Sequence, residues 1–221
     1  MNRIKLAQII DHTNLTRDIS EQEMKQFCEE AISLNVKMVA INSCQTKLCN
    51  DLLRNSTVKV GAAISFPLGQ TTIETKVFET LDAIKNGADE IDYVINLSKL
   101  KSGDYDYIEQ EMRAIVTCCE ENGVTSKVIF ENCLLSDEEK IKLCEIANIV
   151  KPNFVKTSTG FSHGGATVED VKLMRKYCHE SIQIKAAGQV RSYETAMEMI
   201  DAGATRIGTS STVKILEGAD Q

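Results

Sequence analysis

The segment KVIFENCLLSDEEKIKLCEIANIVKPNFVKTS, residues 127–158, holds one complete strand–helix–strand unit. It opens on a short apolar run, KVIFEN (127–132), of the kind that fits a strand covered on both faces. SDEE (136–139) is a capping box: the serine oxygen and the later glutamate satisfy backbone N–H groups that a helix start leaves unpaired. A second apolar run, FVKTS (154–158), follows the helix.

The same alternation extends to both ends of the chain. QIIDHT (8–13), KMVAIN (37–42), VKVGAAIS (58–65), EIDYVIN (90–96), IQIKAA (182–187) and RIGTS (206–210) complete a predicted set of eight strands. Between them, SEQE (20–23) is a second capping box and TVED (167–170) a weaker one, while 46–55, 72–86, 105–122 and 193–202 have helical periodicity. Gly87, Gly123 and Gly203 stand where a left-handed residue ends a helix. No proline-rich linker, charge block or low-complexity tract interrupts the series, so residues 1–221 read as one domain.

Eight βα units in 221 residues match an α/β closed (β/α)8 TIM barrel with brief loops. The competitor is an open doubly wound sheet. The first βα turn, DHTNLTRD (11–18), lacks the glycine-rich dinucleotide fingerprint of such sheets, which favours the barrel.

Composition excludes several function classes. At 43% hydrophobic and 26% charged, the chain can bury a sizeable core. A net charge of −7 makes it a poor electrostatic partner for nucleic acid or anionic membrane. Its apolar runs fall short of the ~20 residues of a membrane helix, and the N-terminus has polar residues where a signal peptide is apolar, so a soluble, cytoplasmic protein is expected. The eight cysteines form no CxxC pair and no metal-like combination with the three histidines; half-buried reduced thiols are expected, with neither a disulfide framework nor zinc.

In a barrel of this type chemistry sits at the carboxyl ends of the strands. There the sequence puts Asp11 with Thr13, Asn42, Asp92, Glu131 with Asn132, Lys156 with Thr159, Lys185, and Gly208 with Ser210. Taken singly, a strand-end lysine can reach out to solvent, and Asp92 can pair with any neighbouring lysine. Together they converge on one mouth, where a buried charge is costly unless paired. Two amines and a carboxylate in a partly dry pocket suit Schiff-base chemistry, because burial and a second cation both disfavour the ammonium form of one lysine. The glycine-bearing turns in AAGQVRSYE (186–194) and RIGTSS (206–211) present backbone N–H groups where barrels commonly hold phosphate, and Ser210 and Ser211 add hydroxyl donors.

Seven segments carry a family resemblance: IDHTNL (10–15), FPLG (66–69), NGADEIDYVIN (86–96), FVKTSTGF (154–161), GGATVEDVKLM (164–174), IKAAG (184–188) and AGATRIGTSS (202–211). In this order, spanning nearly the whole chain, they resemble the deoxyribose-phosphate aldolases. The resemblance implies a metal-free, cofactor-free class I aldolase. Its reaction is the reversible cleavage of 2-deoxy-D-ribose 5-phosphate to acetaldehyde and D-glyceraldehyde 3-phosphate. It also implies Lys156 as the Schiff-base lysine, Lys185 as the cation that lowers its pKa, and Asp92 as the proton-relay carboxylate. Asp11 and Thr13 match positions near the substrate hydroxyls. Gly160, Gly188, Gln189, Val190, Arg191, Gly208, Ser210 and Ser211 match the phosphate turns, and Thr159 belongs to the KTSTGF motif of the substrate site. The family implies a monomer or homodimer whose partners are small phosphosugars and aldehydes.

Three segments depart from the family pattern. Gln189 stands where a second glycine is usual, VAINS (39–43) replaces VCVNP, and IFEN (129–132) replaces IIET. A transaldolase-like enzyme for another phosphosugar, and a catalytically silent phosphosugar-binding barrel, are the alternative expectations. The KTSTGF context argues against the first, and retention of both lysines with Asp92 against the second.

Overall fold

The computed structural model describes residues 1–219. A short helix α1 (Arg3–Ala7) precedes β1 (Ile10–Asn14). Then follow α2 (Glu21–Ser33), β2 (Met38–Asn42), α3 (Thr46–Leu53), β3 (Lys59–Ile64), α4 (Ile73–Lys85) and β4 (Glu90–Val94). The second half runs α5 (Leu97–Lys101), α6 (Tyr105–Glu121), β5 (Thr125–Ile129), α7 (Asp137–Val150), β6 (Phe154–Lys156), α8 (Val168–Tyr177), β7 (Gln183–Ala187), α9 (Tyr193–Asp201), β8 (Arg206–Thr209) and α10 (Thr212–Gly218). All strand pairs are parallel, and β8 closes onto β1, so the sheet is a barrel in sequence order.

Local chemistry sets the element boundaries as the sequence predicts. Ser20 and Ser136 each accept from the backbone of the glutamate three residues on, and each glutamate returns the bond. Thr72, Thr167 and Ser192 cap α4, α8 and α9 with the side-chain half of that exchange. Three short helices, α1, α5 and α10, were not expected; segments of five to seven residues contain too few turns for a period to be read. Gln8 caps α1, which delays the start of β1 to Ile10.

Strand alternation divides the strand residues between two layers. Val39, Ile41, Val60, Ala62, Ile64, Ile91, Tyr93, Val128, Val155, Ile184, Ala186 and Ile207 point outward and join the helix residues Met24, Ala31, Met112, Ile115, Leu143, Met174 and Ala196 in one buried core. Each large aliphatic side chain buried there contributes roughly 1.5–3 kcal/mol. The alternate residues face the barrel axis. On β4 to β8 and β1 these include Glu90, Asp92, Lys127, Lys156, Lys185, Arg206 and Asp11, all buried. Apolar layers therefore surround a charged interior, opposite to the usual filling of such barrels by branched aliphatics.

Candidate active site

Register explains how these charges meet. Asp92 lies beside Lys127 across β4 and β5, Lys156 beside Lys185 across β6 and β7, and Lys185 beside Arg206 across β7 and β8. The Asp92 carboxylate is the centre: Oδ1 accepts from Lys127 Nζ at 2.6 Å, and Oδ2 from Lys156 Nζ at 2.8 Å and Lys185 Nζ at 2.6 Å. Lys185 also reaches Asp11 Oδ2 at 2.5 Å. Below, Glu90 pairs with Lys127 at 2.6 Å and with Arg206 at 3.0 Å, and Arg206 donates to Asp11 at 2.7 Å. Gly208 is required by this packing, since a β-carbon there would stand 3.0 Å from Lys185 Cε and 2.9 Å from Ala187 Cβ.

Among the described residues, the linked network contains four bases, Lys127, Lys156, Lys185 and Arg206, and three acids, Asp11, Glu90 and Asp92. One buried cation is in excess, and a dry interior disfavours the unmatched charge. Burial pulls the Lys156 ammonium down to about 8; Asp92 opposes the shift, and Lys185 and Lys127 add to it. For Asp92, burial acts upward, but Lys127, Lys156 and Lys185 outweigh it and hold the carboxyl well below its usual range. Burial likewise acts upward on Asp11 and is overcome by Lys185, Arg206 and Lys127. On Lys127 burial acts downward, but Asp92, Glu90 and Asp11 outweigh it and raise the ammonium above its usual range. Of the seven side chains, Lys156 is the one that lines the cavity above, a space of about 580 Å³ at the carboxyl ends of the strands.

The cavity wall is built from turns that glycine makes possible. Gly188, with φ +84°, sits so close to two other turns that a β-carbon on it would lie 3.0 Å from Gly165 Cα and 3.4 Å from Gly160 Cα. Three backbones therefore meet without side chains between them. Thr209 Oγ1 donates to Val190 O at 2.6 Å, tying the β8 turn to the β7 turn. Gln189, where a glycine is usual in the family resemblance, has a left-handed backbone with φ +63° and is exposed at the cavity rim. Its side chain leaves the backbone turn open, at a conformational cost of about 1–2 kcal/mol relative to glycine.

Glu131, itself left-handed at φ +59° and buried, accepts from Thr159 N at 3.1 Å and from the Thr159 hydroxyl. Thr159 Oγ1 in turn accepts from Phe161 N at 3.0 Å, so one carboxylate fixes the start of the loop after β6.

Most sequence-predicted positions converge. Thr13, Lys156, Thr159, Gly160, Gly188, Gln189, Val190, Arg191, Gly208 and Ser210 all line the cavity. Asp92 and Lys185 lie beneath it, in contact with Lys156 through the shared oxygen. Asp11 also lies beneath, fully buried and held by Lys185 and Arg206, and Thr13 Oγ1 bonds to its carbonyl at 2.9 Å. Ser211 is outside the cavity lining and uses its N–H on Thr209 Oγ1 at 2.9 Å. Asn42 ends β2 without reaching the cavity lining, and Asn132 is buried beneath the rim, donating its backbone N–H to Thr157 O.

Sequence reasoning missed Glu90, Lys127 and Arg206. The signal was available: each lies two residues before a residue that alternation puts on the same inner face, namely Asp92, Ile129 and Gly208. It also missed His12, which is buried against Phe27 and bonded through Nδ1 to Thr212 Oγ1 at 2.8 Å. The thiols are more enclosed than expected: Cys28, Cys49, Cys119, Cys144 and Cys178 are buried, and all eight cysteines are free. Small uncharged thiols suit the helix–strand layer, where five of them pack. Among the described residues, no cluster of histidine, cysteine or carboxylate side chains is arranged to hold a metal ion. No described helix is long and apolar enough to cross a membrane.

A closed parallel barrel that presents one amine at its mouth, above a buried acid–base network, has the construction of a barrel enzyme for carbonyl chemistry. The comparisons narrow that class. The chain belongs to the DeoC/LacD family of aldolases, whose family model matches residues 5–217. It is 56% identical over 211 residues to a deoxyribose-phosphate aldolase of Lactobacillus acidophilus, covering 96% of this chain and 89% of that one. It is 52% identical to the deoxyribose-phosphate aldolase of Caldanaerobacter subterraneus, covering 97% and 93%. In three dimensions it matches a tetrameric deoxyribose phosphate aldolase from Aeropyrum pernix with a TM-score of 0.91, at 30% identity, over 98% of this chain and 91% of that one. The protein is thus an aldolase acting on small molecules.

Proposed function

We propose that the protein cleaves 2-deoxy-D-ribose 5-phosphate reversibly to acetaldehyde and D-glyceraldehyde 3-phosphate through a Schiff base on Lys156. The observation that carries the reading is that Lys156 alone, of seven interlocked charged groups, lines the cavity, where burial lowers its ammonium pKa to about 8. The relatives' names supply the substrate class.

In the cleavage direction, neutral Lys156 Nζ attacks C1 of the open-chain sugar, and loss of water from the carbinolamine leaves an iminium. That cation takes up the electron pair as the C3 hydroxyl loses its proton and the C2–C3 bond breaks, releasing D-glyceraldehyde 3-phosphate. Protonation of the enamine at C2 and hydrolysis then release acetaldehyde and restore the amine. Asp92 Oδ2, shared by Lys156 and Lys185, is the relay through which protons enter and leave, by way of water in the cavity. Thr13, on the cavity wall with Asp11 beneath it, faces the sugar hydroxyls, and the turns at Gly160, Gly188–Arg191 and Gly208–Ser210 receive the phosphate.

Residues 1–221 act as one domain on this reading, in the cytoplasm, without metal or organic cofactor and as a monomer or homodimer. The test is incubation with acetaldehyde and borohydride, followed by peptide mapping, beside a cleavage assay on deoxyribose 5-phosphate and a panel of other phosphosugars. An ethyl group on Lys156 and preferential cleavage of deoxyribose 5-phosphate are expected. An adduct on Lys185, or preference for another sugar, overturns the assignment.

A further inference from the structure

Glu90 and Lys127 are absent from the cavity wall, yet both are buried and tied to Asp92 or to its partners. We propose that they are positioning residues that set the charge of Lys156: the interior holds three anions, tolerates three cations, and so expels the proton of the fourth base, the one nearest solvent. This rests on Lys156 being the nucleophile.

Geometry singles out the base that yields. Lys127 touches two carboxylates, Asp92 and Glu90; Lys185 touches Asp92 and Asp11; Arg206 touches Asp11 and Glu90. Among the described residues, Lys156 touches one carboxylate only, through an oxygen it shares with Lys185. It has the fewest anionic contacts and the shortest way to the cavity, so deprotonating it relieves the excess charge at least cost. The other groups around Lys127 are the Met38 thioether from β2, 3.6 Å away, Asp11 on β1 and Arg206 on β8, and Lys156 and Lys185 beyond Asp92. On the open side Lys156 has the Phe66 ring at 6.0 Å, which is uncharged. The direct Coulombic push of Lys127 on Lys156 acts in the proposed direction.

The count makes predictions of opposite sign for two neighbouring substitutions. Removing a base, Lys127→Met, leaves three cations for three anions, so Lys156 keeps its proton to higher pH. Removing an acid, Glu90→Gln, leaves an excess of two, so Lys156 releases its proton at lower pH. Removing both, in the Glu90→Gln/Lys127→Met double variant, restores an excess of one. A residue that acted only through packing would lower activity in every variant without an ordered displacement.

The readout is the pH dependence of Lys156 labelling by a neutral amine-acylating reagent, followed by peptide mass spectrometry, with the acid limb of kcat/KM measured in parallel. Expected half-points are about one pH unit above wild type for Lys127→Met, about one below for Glu90→Gln, and within about half a unit of wild type for the double variant. Lys127→Arg, which keeps the charge, should also stay near wild type. Half-points that move with the same sign in both single variants, or do not move, overturn the proposal. If one single variant does not fold, the other single variant and the double variant decide together: a displaced single with a wild-type half-point in the double upholds the count, and an unmoved single or a displaced double overturns it. Failure of the underlying reading is separate, since it would appear as wild-type protein that forms no acetaldehyde adduct on Lys156.

Discussion

At the scale of the residue, the lysine pair of the site divides one task between two positions. Lys156 has the access to react, and Lys185 is enclosed and held between Asp11 and Asp92. Replacing Lys185 by Met removes a cation that lowers the Lys156 pKa, so that pKa rises from about 8. Reaction needs the neutral amine, and a higher pKa delays its appearance as pH increases. The acid limb of the pH–rate profile should therefore move to higher pH, with kcat/KM at pH 7 reduced by about tenfold for each pH unit that the limb travels. A kcat/KM profile whose acid limb keeps its wild-type position would remove Lys185 from the tuning of the nucleophile.

At the scale of the element, short turns rather than strands form the wall that the proposed function assigns to the phosphate end of the substrate. The turn after β7 and the turn after β8 are joined by the Thr209–Val190 bond and lie against the backbone of Gly160 and Gly165. Ser210 is exposed on the cavity wall, so Ser210→Asp adds a negative charge there without disturbing a buried contact. Repulsion of the phosphate dianion should raise KM for deoxyribose 5-phosphate to an extent equivalent to roughly 2 kcal/mol. Acetaldehyde has no phosphate, so its borohydride trapping on Lys156 should change little. The two measurements belong on the same preparation: joint loss would indicate general damage to the mouth, and an unchanged KM would move the phosphate elsewhere.

At the scale of the whole molecule, a second buried ion pair braces the barrel from outside. Lys76 on α4 and Glu111 on α6 are both fully buried and 2.6 Å apart. Lys76 also donates to Val94 O at 2.6 Å, and Glu111 accepts from Asn96 N at 3.0 Å. The pair thus clamps the end of β4, the strand that carries Asp92, between two helices. Glu111→Ala leaves the Lys76 ammonium buried and unmatched, and should cost about 3–5 kcal/mol of stability in chemical denaturation. Lys76→Met/Glu111→Leu removes both charges together and should recover most of that loss. A double variant as unstable as Glu111→Ala would show that the backbone bonds to Val94 and Asn96, rather than the charges, do the bracing.

The sequence by itself determined the order of elements, because each boundary is a local event: Ser20 and Ser136 cap their helices with atoms three residues away, and Gly87, Gly123 and Gly203 adopt the left-handed conformation that ends one. It also determined which strand ends are polar, since period-two alternation places Lys156, Lys185 and Asp92 on the inner face without reference to any partner. The short helices α1, α5 and α10 escaped because a turn or two carries no period. What only the tertiary structure decided is who pairs with whom. Asp92 and Lys185 are 93 positions apart and Arg206 and Asp11 are 195 apart, and their contacts exist because the sheet closes. Closure put four bases and three acids in one dry space, and the burial and neighbouring cations that lower the Lys156 pKa belong to that enclosed set, which no single stretch of the chain contains.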